Sequence, residues 1–218
     1  MRLFTALIPP AEALAELARA LRPVRSLPGA DRLRWTEGAG RHLTLAFHGE
    51  ADPGALDPAL RAAARAHGPL RLALHGGGHF GDSTLWTGLR GEVQALRELA
   101  DAVPVAPAGP GRTDEEDEAG RGETGGRDGT GRGETCGPGG AARREHPYRP
   151  HLTLARGDRR TPLGPFARAL DAFTGTPWTV RELSLVRSEL PPGGLRGARP
   201  RYVTQATYPL TGGAPGDR

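Results

Sequence analysis

Lysine is absent from this chain: all 29 basic residues among its 218 are arginine. A phosphate loop that ends in Gly-Lys-Ser or Gly-Lys-Thr is therefore excluded, and the run Gly76-Gly77-Gly78 is not one. Cysteine occurs once, at Cys136, so no internal disulfide can form, and a reducing compartment suits the chain. Long apolar runs are missing too. The stretch from Met1 to Pro10 is too short for a signal peptide or a membrane span. The expectation is a soluble cytoplasmic monomer with no membrane partner. His75 and His79 flank the three glycines, but no Cys, Asp or Glu accompanies them at ligand spacing, so no metal and no other cofactor is expected.

Glycine and proline are abundant, 33 and 21 residues, too many for regular structure throughout. Between residues 106 and 145, Gly, Arg, Glu, Asp, Thr and Pro replace almost every large apolar residue. Such a segment buries too little surface to offset the entropy of ordering, and it is expected to be a disordered insertion. Its acidic run, Asp114 to Glu118, reads as a solvating patch. Residues 212–218 are expected to fray. The remainder is long enough for one domain of two closely packed lobes. A formal charge of +4, with arginine as the sole basic residue, favours an anionic partner, because guanidinium keeps its charge and grips phosphate with a planar fork. The excess of Arg, Ala, Gly and Pro also follows from genomic base composition, which is its simpler cause.

One pentapeptide occurs twice, as His42-Leu43-Thr44-Leu45-Ala46 and His151-Leu152-Thr153-Leu154-Ala155, with starts 109 positions apart. Alternation, a β-branched Thr and a following Gly, Gly49 or Gly157, mark both copies as strands. Successive side chains on a strand point to opposite faces, so His and Thr share one face and the two leucines the other. A single copy would be an ordinary sheet margin. Two copies suggest two related halves, each giving one imidazole and one hydroxyl to a shared cleft.

Around the motifs the chain reads as interleaved strands and helices. A strand over Leu3–Ile8 closes at Pro9-Pro10, and a helix from Ala11 to Leu21 stops at Pro23. A short strand at Leu33–Thr36 leads to motif one. Asp57 as N-cap with Pro58 opens a helix to about His67. Leu70–Leu74 and Ser83–Leu89 read as strands linked through Gly76-Gly77-Gly78, and Glu92–Val103 as a helix. Order resumes at His146, ahead of motif two. A helix from Thr161 to about Phe173, one strand over Trp178–Leu190 and a last strand over Tyr202–Leu210 complete the pattern.

Two imidazoles facing across a cleft can divide the acid and base roles if their surroundings hold one neutral and one protonated. A Thr hydroxyl beside each can donate to a non-bridging phosphate oxygen, and two such donors would cradle the charge that builds at phosphorus. From the residues alone, which His is acid and which base stays open. The paired motifs, the opening Arg2-Leu3-Phe4 with Pro9-Pro10, Arg34-Trp35, and Arg149-Pro150 running into motif two and Arg156 resemble the RNA 2′,3′-cyclic phosphodiesterases of the 2H phosphoesterase superfamily, also described as 2′-5′ RNA ligases. The resemblance covers nearly the whole chain apart from the insertion. It implies an α/β (α+β) fold over residues 1–218, bilobal and pseudo-twofold, with two mainly antiparallel sheets flanking a central cleft and helices outside. It implies hydrolysis of an RNA 2′,3′-cyclic phosphate end to a 2′-phosphomonoester without a metal. His42 would be the proton donor, His151 the proton acceptor, and Thr44 and Thr153 the phosphate ligands. Ligation at the same site, or non-catalytic binding of RNA ends, are the alternatives.

Other residues carry weaker signals. By parity Arg156 falls opposite Thr153 unless a bulge turns it, so a phosphate contact and a structural ion pair both stay open. Tyr148 and Trp35 could stack on a base but read more simply as core. His48 stands where that family commonly has Leu, and it reads as a strand-exit residue in water rather than a base contact.

Overall fold

The computed structural model describes residues 1–105, 147–189 and 200–213. The expected insertion and most of the expected frayed tail lie outside the described residues. Among the described residues, nine strands form two antiparallel sheets, accompanied by four α-helices. The strands are β1 (Arg2–Leu7), β2 (Arg34–Trp35), β3 (Leu43–Glu50), β4 (Leu70–Phe80), β5 (Thr84–Gly91), β6 (Leu152–Arg156), β7 (Trp178–Val180), β8 (Glu182–Glu189) and β9 (Arg201–Pro209). The helices are α1 (Ala11–Val24), α2 (Pro53–Ala66), α3 (Val93–Ala102) and α4 (Gly164–Arg168). One sheet has the order β3-β1-β8-β9, the other β2-β6-β5-β4-β7. This is the expected two-sheet, two-lobed α/β architecture. The lobes are the two sheets, however, not two halves of the sequence: the first and last strands share one sheet, while β2 crosses to pair with motif two.

A single large apolar cluster unites the core faces of both sheets with α1, α2 and α3. It contains Leu43 and Leu45 of motif one and Leu152 and Leu154 of motif two, all buried. The anchor leucines expected from alternation therefore hold both motif strands to the same core. At about 25 cal/mol per Å², burial of this kind dominates the stability of each strand.

Several elements differ from the sequence expectation, each for a local reason. Helix α2 starts one turn earlier than Asp57, because the dipeptide Asp-Pro occurs twice and Asp52 is the cap, accepting from the Ala55 N–H at 3.2 Å. Asp57 instead pairs with Arg61 within the helix at 3.0 Å. Helix α1 continues past Pro23 to Val24, which is fully buried, so core packing outweighs one missing donor at the last turn. The segment after Thr161 forms only five residues of α-helix and then tight turns, with Phe173 N bonded to Leu170 O at 2.8 Å. Bonds from Gly76 N to Phe173 O and from Gly175 N to Leu74 O draw that segment onto β4 instead. The expected strand over Trp178–Leu190 is, in its described part up to Glu189, two strands in different sheets, β7 beside β4 and β8 beside β1, separated at Arg181. The apolar phase shifts across that switch, from Trp178 and Val180 to Leu183 and Leu185, with Arg181 and Glu182 both exposed between them.

The three glycines are not a link but the middle of β4, where the pairing with β5 slips by one residue between His75 and Gly78. Gly76 takes a left-handed φ of 65°, the conformation that favours glycine at a bulge. A side chain at Gly77 would strike the Ala167 carbonyl oxygen, and one at Gly78 would lie 2.2 Å from the Trp86 ring. The glycines thus admit α4 on one side and an indole on the other.

His48 is buried rather than in water, 5% exposed, with its Nε2 2.6 Å from Thr5 Oγ1 on β1. It is an extra residue in β3, since Phe47 pairs with Phe4 and Gly49 with Leu3. Thr5→Val removes that hydroxyl from a fully buried position and is expected to cost about 1–3 kcal/mol. Urea unfolding of the variant measures it, and an unchanged midpoint would show that the bond contributes nothing.

Candidate active site

The two motif strands carry the same irregularity at the same position. On β3, Ala46 pairs with Thr5 and Thr44 with Ala6, which leaves Leu45 as an extra residue. On β6, Ala155 pairs with Leu85 and Thr153 with Trp86, which leaves Leu154 extra. A bulge of this kind reverses the alternation beyond it. Leu45 and Ala46 are therefore both buried, as are Leu154 and Ala155, and the residues after them, Phe47 and Arg156, return to the face of Thr44 and Thr153. Simple parity put Arg156 on the opposite face; the bulge brings it back.

Around His151 the site face of the β2–β7 sheet is aromatic. The His151 ring stands edge-on to Phe80 at 5.0 Å and 6.2 Å from Trp86, and those two rings are 5.4 Å apart. The Arg149 guanidinium lies over both, 5.5 and 5.9 Å from their centroids. Trp86 reaches this position because Gly78, its cross-strand partner, has no side chain. His151 Nδ1 donates to the Arg149 carbonyl at 2.8 Å, which fixes the proton on that nitrogen and leaves Nε2 as an acceptor. Desolvation by its surroundings lowers its pKa from 6.5 to about 4; the bond to Arg149 opposes the shift, and the charges of Arg156 and Arg149 add to it. The imidazole is accordingly neutral at pH 7. Its surface remains partly accessible, as a proton acceptor requires.

His42, just before β3, has a matching setting in the other sheet. Its ring packs 4.6 Å from Phe4 of β1 and edge-on to Tyr202 of β9 at 4.9 Å. Phe4, Phe47, Tyr202, Ala6 and Val186 form a small apolar cluster of their own on this face. Each motif histidine thus packs against two aromatic rings from other strands of its own sheet. Sequence reasoning did not find Phe4, Tyr202, Phe80 or Trp86 as site residues, because only pairing register brings them beside the motifs.

The motif strands β3 and β6 lie against one another. Tyr148, three residues before His151 and 3% exposed, donates its hydroxyl to the Thr44 carbonyl at 2.9 Å. This bond ties the approach to motif two directly to motif one. Tyr148 is a strut and not a base-stacking surface. Trp35 is structural as well: its Nε1 donates to Ala30 O at 3.0 Å, and Arg25 covers its ring at 4.9 Å. Arg156 Nη1 donates to Thr84 Oγ1 at 2.9 Å. His75 Nδ1 is 3.0 Å from Thr174 Oγ1, and His79 Nδ1 donates to Gly81 O at 2.7 Å. No group of three or more potential metal ligands is present among the described residues.

Residues 9–191 match the sequence profile of the 2′-5′ RNA ligase superfamily. The chain belongs to this family. It is 30% identical over 191 residues to an RNA 2′,3′-cyclic phosphodiesterase of Geobacillus stearothermophilus, an alignment covering 84% of this chain and 49% of that protein. A protein of the same description from Thermus thermophilus is 30% identical over 220 residues, 97% of this chain and 91% of the relative. The chain therefore spans about half the length of the first relative and nearly all of the second. Among solved structures, the Thermus thermophilus protein TT0787 superposes with a TM-score of 0.57 and 25% identity, over 97% of this chain and 99% of the other. Escherichia coli LigT complexed with ATP gives 0.60 at 23% identity, over 96% and 98%, a likeness of fold. As a member of the superfamily, the chain carries its twin motifs on two strands that share one bulge.

The Tyr148 strut has a measurable consequence. Tyr148→Phe is expected to lower kcat several-fold with KM little changed, and to reduce stability by about 0.5–1.5 kcal/mol. Equal loss of kcat and of bound substrate, or no loss of either, would show that the bond does not set the spacing of the motifs.

Proposed function

We propose that the protein hydrolyses RNA 2′,3′-cyclic phosphate ends to 2′-phosphomonoesters by two-histidine acid–base catalysis. The observation that carries this reading is the state of His151: a neutral imidazole whose Nδ1 is protonated and whose Nε2 is open is suited to take a proton from water. That attack forms a phosphorus–oxygen bond to the water oxygen while the bond to the 3′ oxygen breaks. His42 gives its proton to the departing 3′ oxygen. Thr44 and Thr153 donate to the non-bridging oxygens, and Arg156, returned by the bulge to the same face, adds positive charge where negative charge grows. Both relatives are named as RNA 2′,3′-cyclic phosphodiesterases, which supports a cyclic-phosphate end as the substrate. One chain supplies both histidines, so a monomer suffices, and a lone cysteine suits the cytoplasm. Among the described residues no helix is long and apolar enough to cross a membrane.

His42→Ala and His151→Ala are each expected to lower kcat by about 10²–10⁴-fold on a short oligonucleotide with a 2′,3′-cyclic end, assayed in EDTA with the product phosphate located by NMR. Full turnover by either variant, or a 3′-phosphate product, rejects the scheme. The pH profile offers a second check. Because kcat/KM follows the neutral fraction of His151 in the free enzyme, it is expected to fall as pH drops through about 4, well below the usual imidazole value of 6.5. In the complex the phosphate charge favours the imidazolium, so the acid limb of kcat should lie higher. An acid limb of kcat/KM at about 6.5 that disappears in His151→Ala would show an ordinary, solvated imidazole.

A further inference from the structure

Arg149 meets His151 from two directions. Its main-chain carbonyl accepts the Nδ1–H of the imidazole at 2.8 Å, and its guanidinium lies 5.5 Å from the Phe80 ring and 5.9 Å from that of Trp86, the two rings that pack against the same imidazole. A guanidinium over the face of an aromatic ring is held there by the ring quadrupole. The charge of Arg149 is thus fixed beside the histidine, not swept through water by a free side chain. This side chain is exposed and makes no ion pair among the described residues, so no carboxylate cancels its charge. The remaining surroundings of His151 leave this role to Arg149. From β4 and β5 come Phe80 and Trp86, which carry no charge, and the second cation that acts on the ring is Arg156 of β6. His79, next to Phe80, is turned to Gly81 O, and Asp82 accepts from the Leu163 N–H. His42, the proposed donor, belongs to the other sheet. Among the described residues the Arg149 carbonyl is the only hydrogen-bond partner of His151.

We infer that Arg149 is a positioning residue for the base: with its carbonyl on Nδ1 and its guanidinium bracing Phe80 and Trp86, it holds the His151 imidazole in one orientation, leaves Nε2 free and keeps a positive charge beside the ring. This role rests on the proposed reaction and deepens it, because it names what holds the base ready. Turning the ring over would give up its one hydrogen bond. A fixed cation nearby disfavours the imidazolium, so the ring returns to its neutral form after each turnover.

The test compares the wild type, Arg149→Met and Arg149→Lys. Methionine keeps an apolar stem over the rings without the charge, and lysine keeps the charge. NMR titration of the imidazole, assigned against His151→Ala, is read in the free protein and needs no turnover. In Arg149→Met the midpoint of His151 is expected to rise by about 0.5–1 pH unit, and the acid limb of kcat/KM to rise with it. At pH 7, kcat on 2′,3′-cyclic AMP is expected to fall about threefold to tenfold with KM little changed, through looser placing of the base. Arg149→Lys is expected to hold the wild-type midpoint and to recover most of kcat. An unchanged midpoint in Arg149→Met overturns the role, as does a loss of kcat that lysine does not recover, or a rise in KM alone, which would make Arg149 a substrate contact. If the midpoint shifts as expected while no protein, wild type included, opens the cyclic end, Arg149 still governs His151 and the proposed reaction fails.

Discussion

Which side chains can meet a substrate is decided by one extra residue in each motif strand. Without the bulges at Leu45 and Leu154, strict alternation would place Phe47 and Arg156 on the core side of their sheets and His48 on the site side. With them, each sheet presents the same sequence of groups on one face: an imidazole, a hydroxyl and, after the extra residue, a third side chain. Both leucines of each motif lie in the core by alternation, and the bulge turns the following alanine, Ala46 or Ala155, inward beside them, so that all three fasten the strand to one apolar cluster. A bulge costs local pairing but bends the strand and re-aims the side chains beyond it. Its recurrence in both strands is the strongest structural sign that the two sheets are related by a pseudo-twofold arrangement.

The two histidines stand in aromatic settings of similar design but different chemistry. His151 is enclosed by Phe80, Trp86 and the stem of its own segment, with two arginines near enough to disfavour a second proton. Its remaining proton sits on Nδ1, directed at the Arg149 carbonyl. His42 packs on Phe4 and Tyr202. Identical pentapeptides can thus perform unequal tasks, since desolvation and neighbouring charge, not the motif itself, set the protonation state. The acid–base division that the residues alone left open has its physical support here, on the side of His151 as base.

Glycine-rich sequence acts in the same direction. Gly76, Gly77 and Gly78 bend β4, let α4 approach and clear the space that Trp86 fills beside His151. Read locally, three glycines between two apolar runs signal a turn, because turns are where glycine most often serves. Here they lie inside a long strand, and their value comes from atoms far away in sequence, Ala167 and Trp86. The same kind of non-local decision moved the chain from one sheet to the other at Arg181 and drew the segment after α4 onto β4 in place of a longer helix.

The sequence by itself determined the twin strands, the faces of the leucines, most element positions and the four polar residues His42, Thr44, His151 and Thr153, because period-two alternation and repetition are local signals. Only the tertiary structure decided which strands pair, where the register slips, and therefore that Arg156 returns to the face of Thr153, that His48 turns inward to Thr5, that Tyr148 braces Thr44, and that Arg34 faces Arg156. Those outcomes depend on contacts between residues tens of positions apart, and one inserted residue in a ladder inverts every side chain beyond it. No pattern within a single segment encodes that inversion; it exists only once two strands are laid side by side.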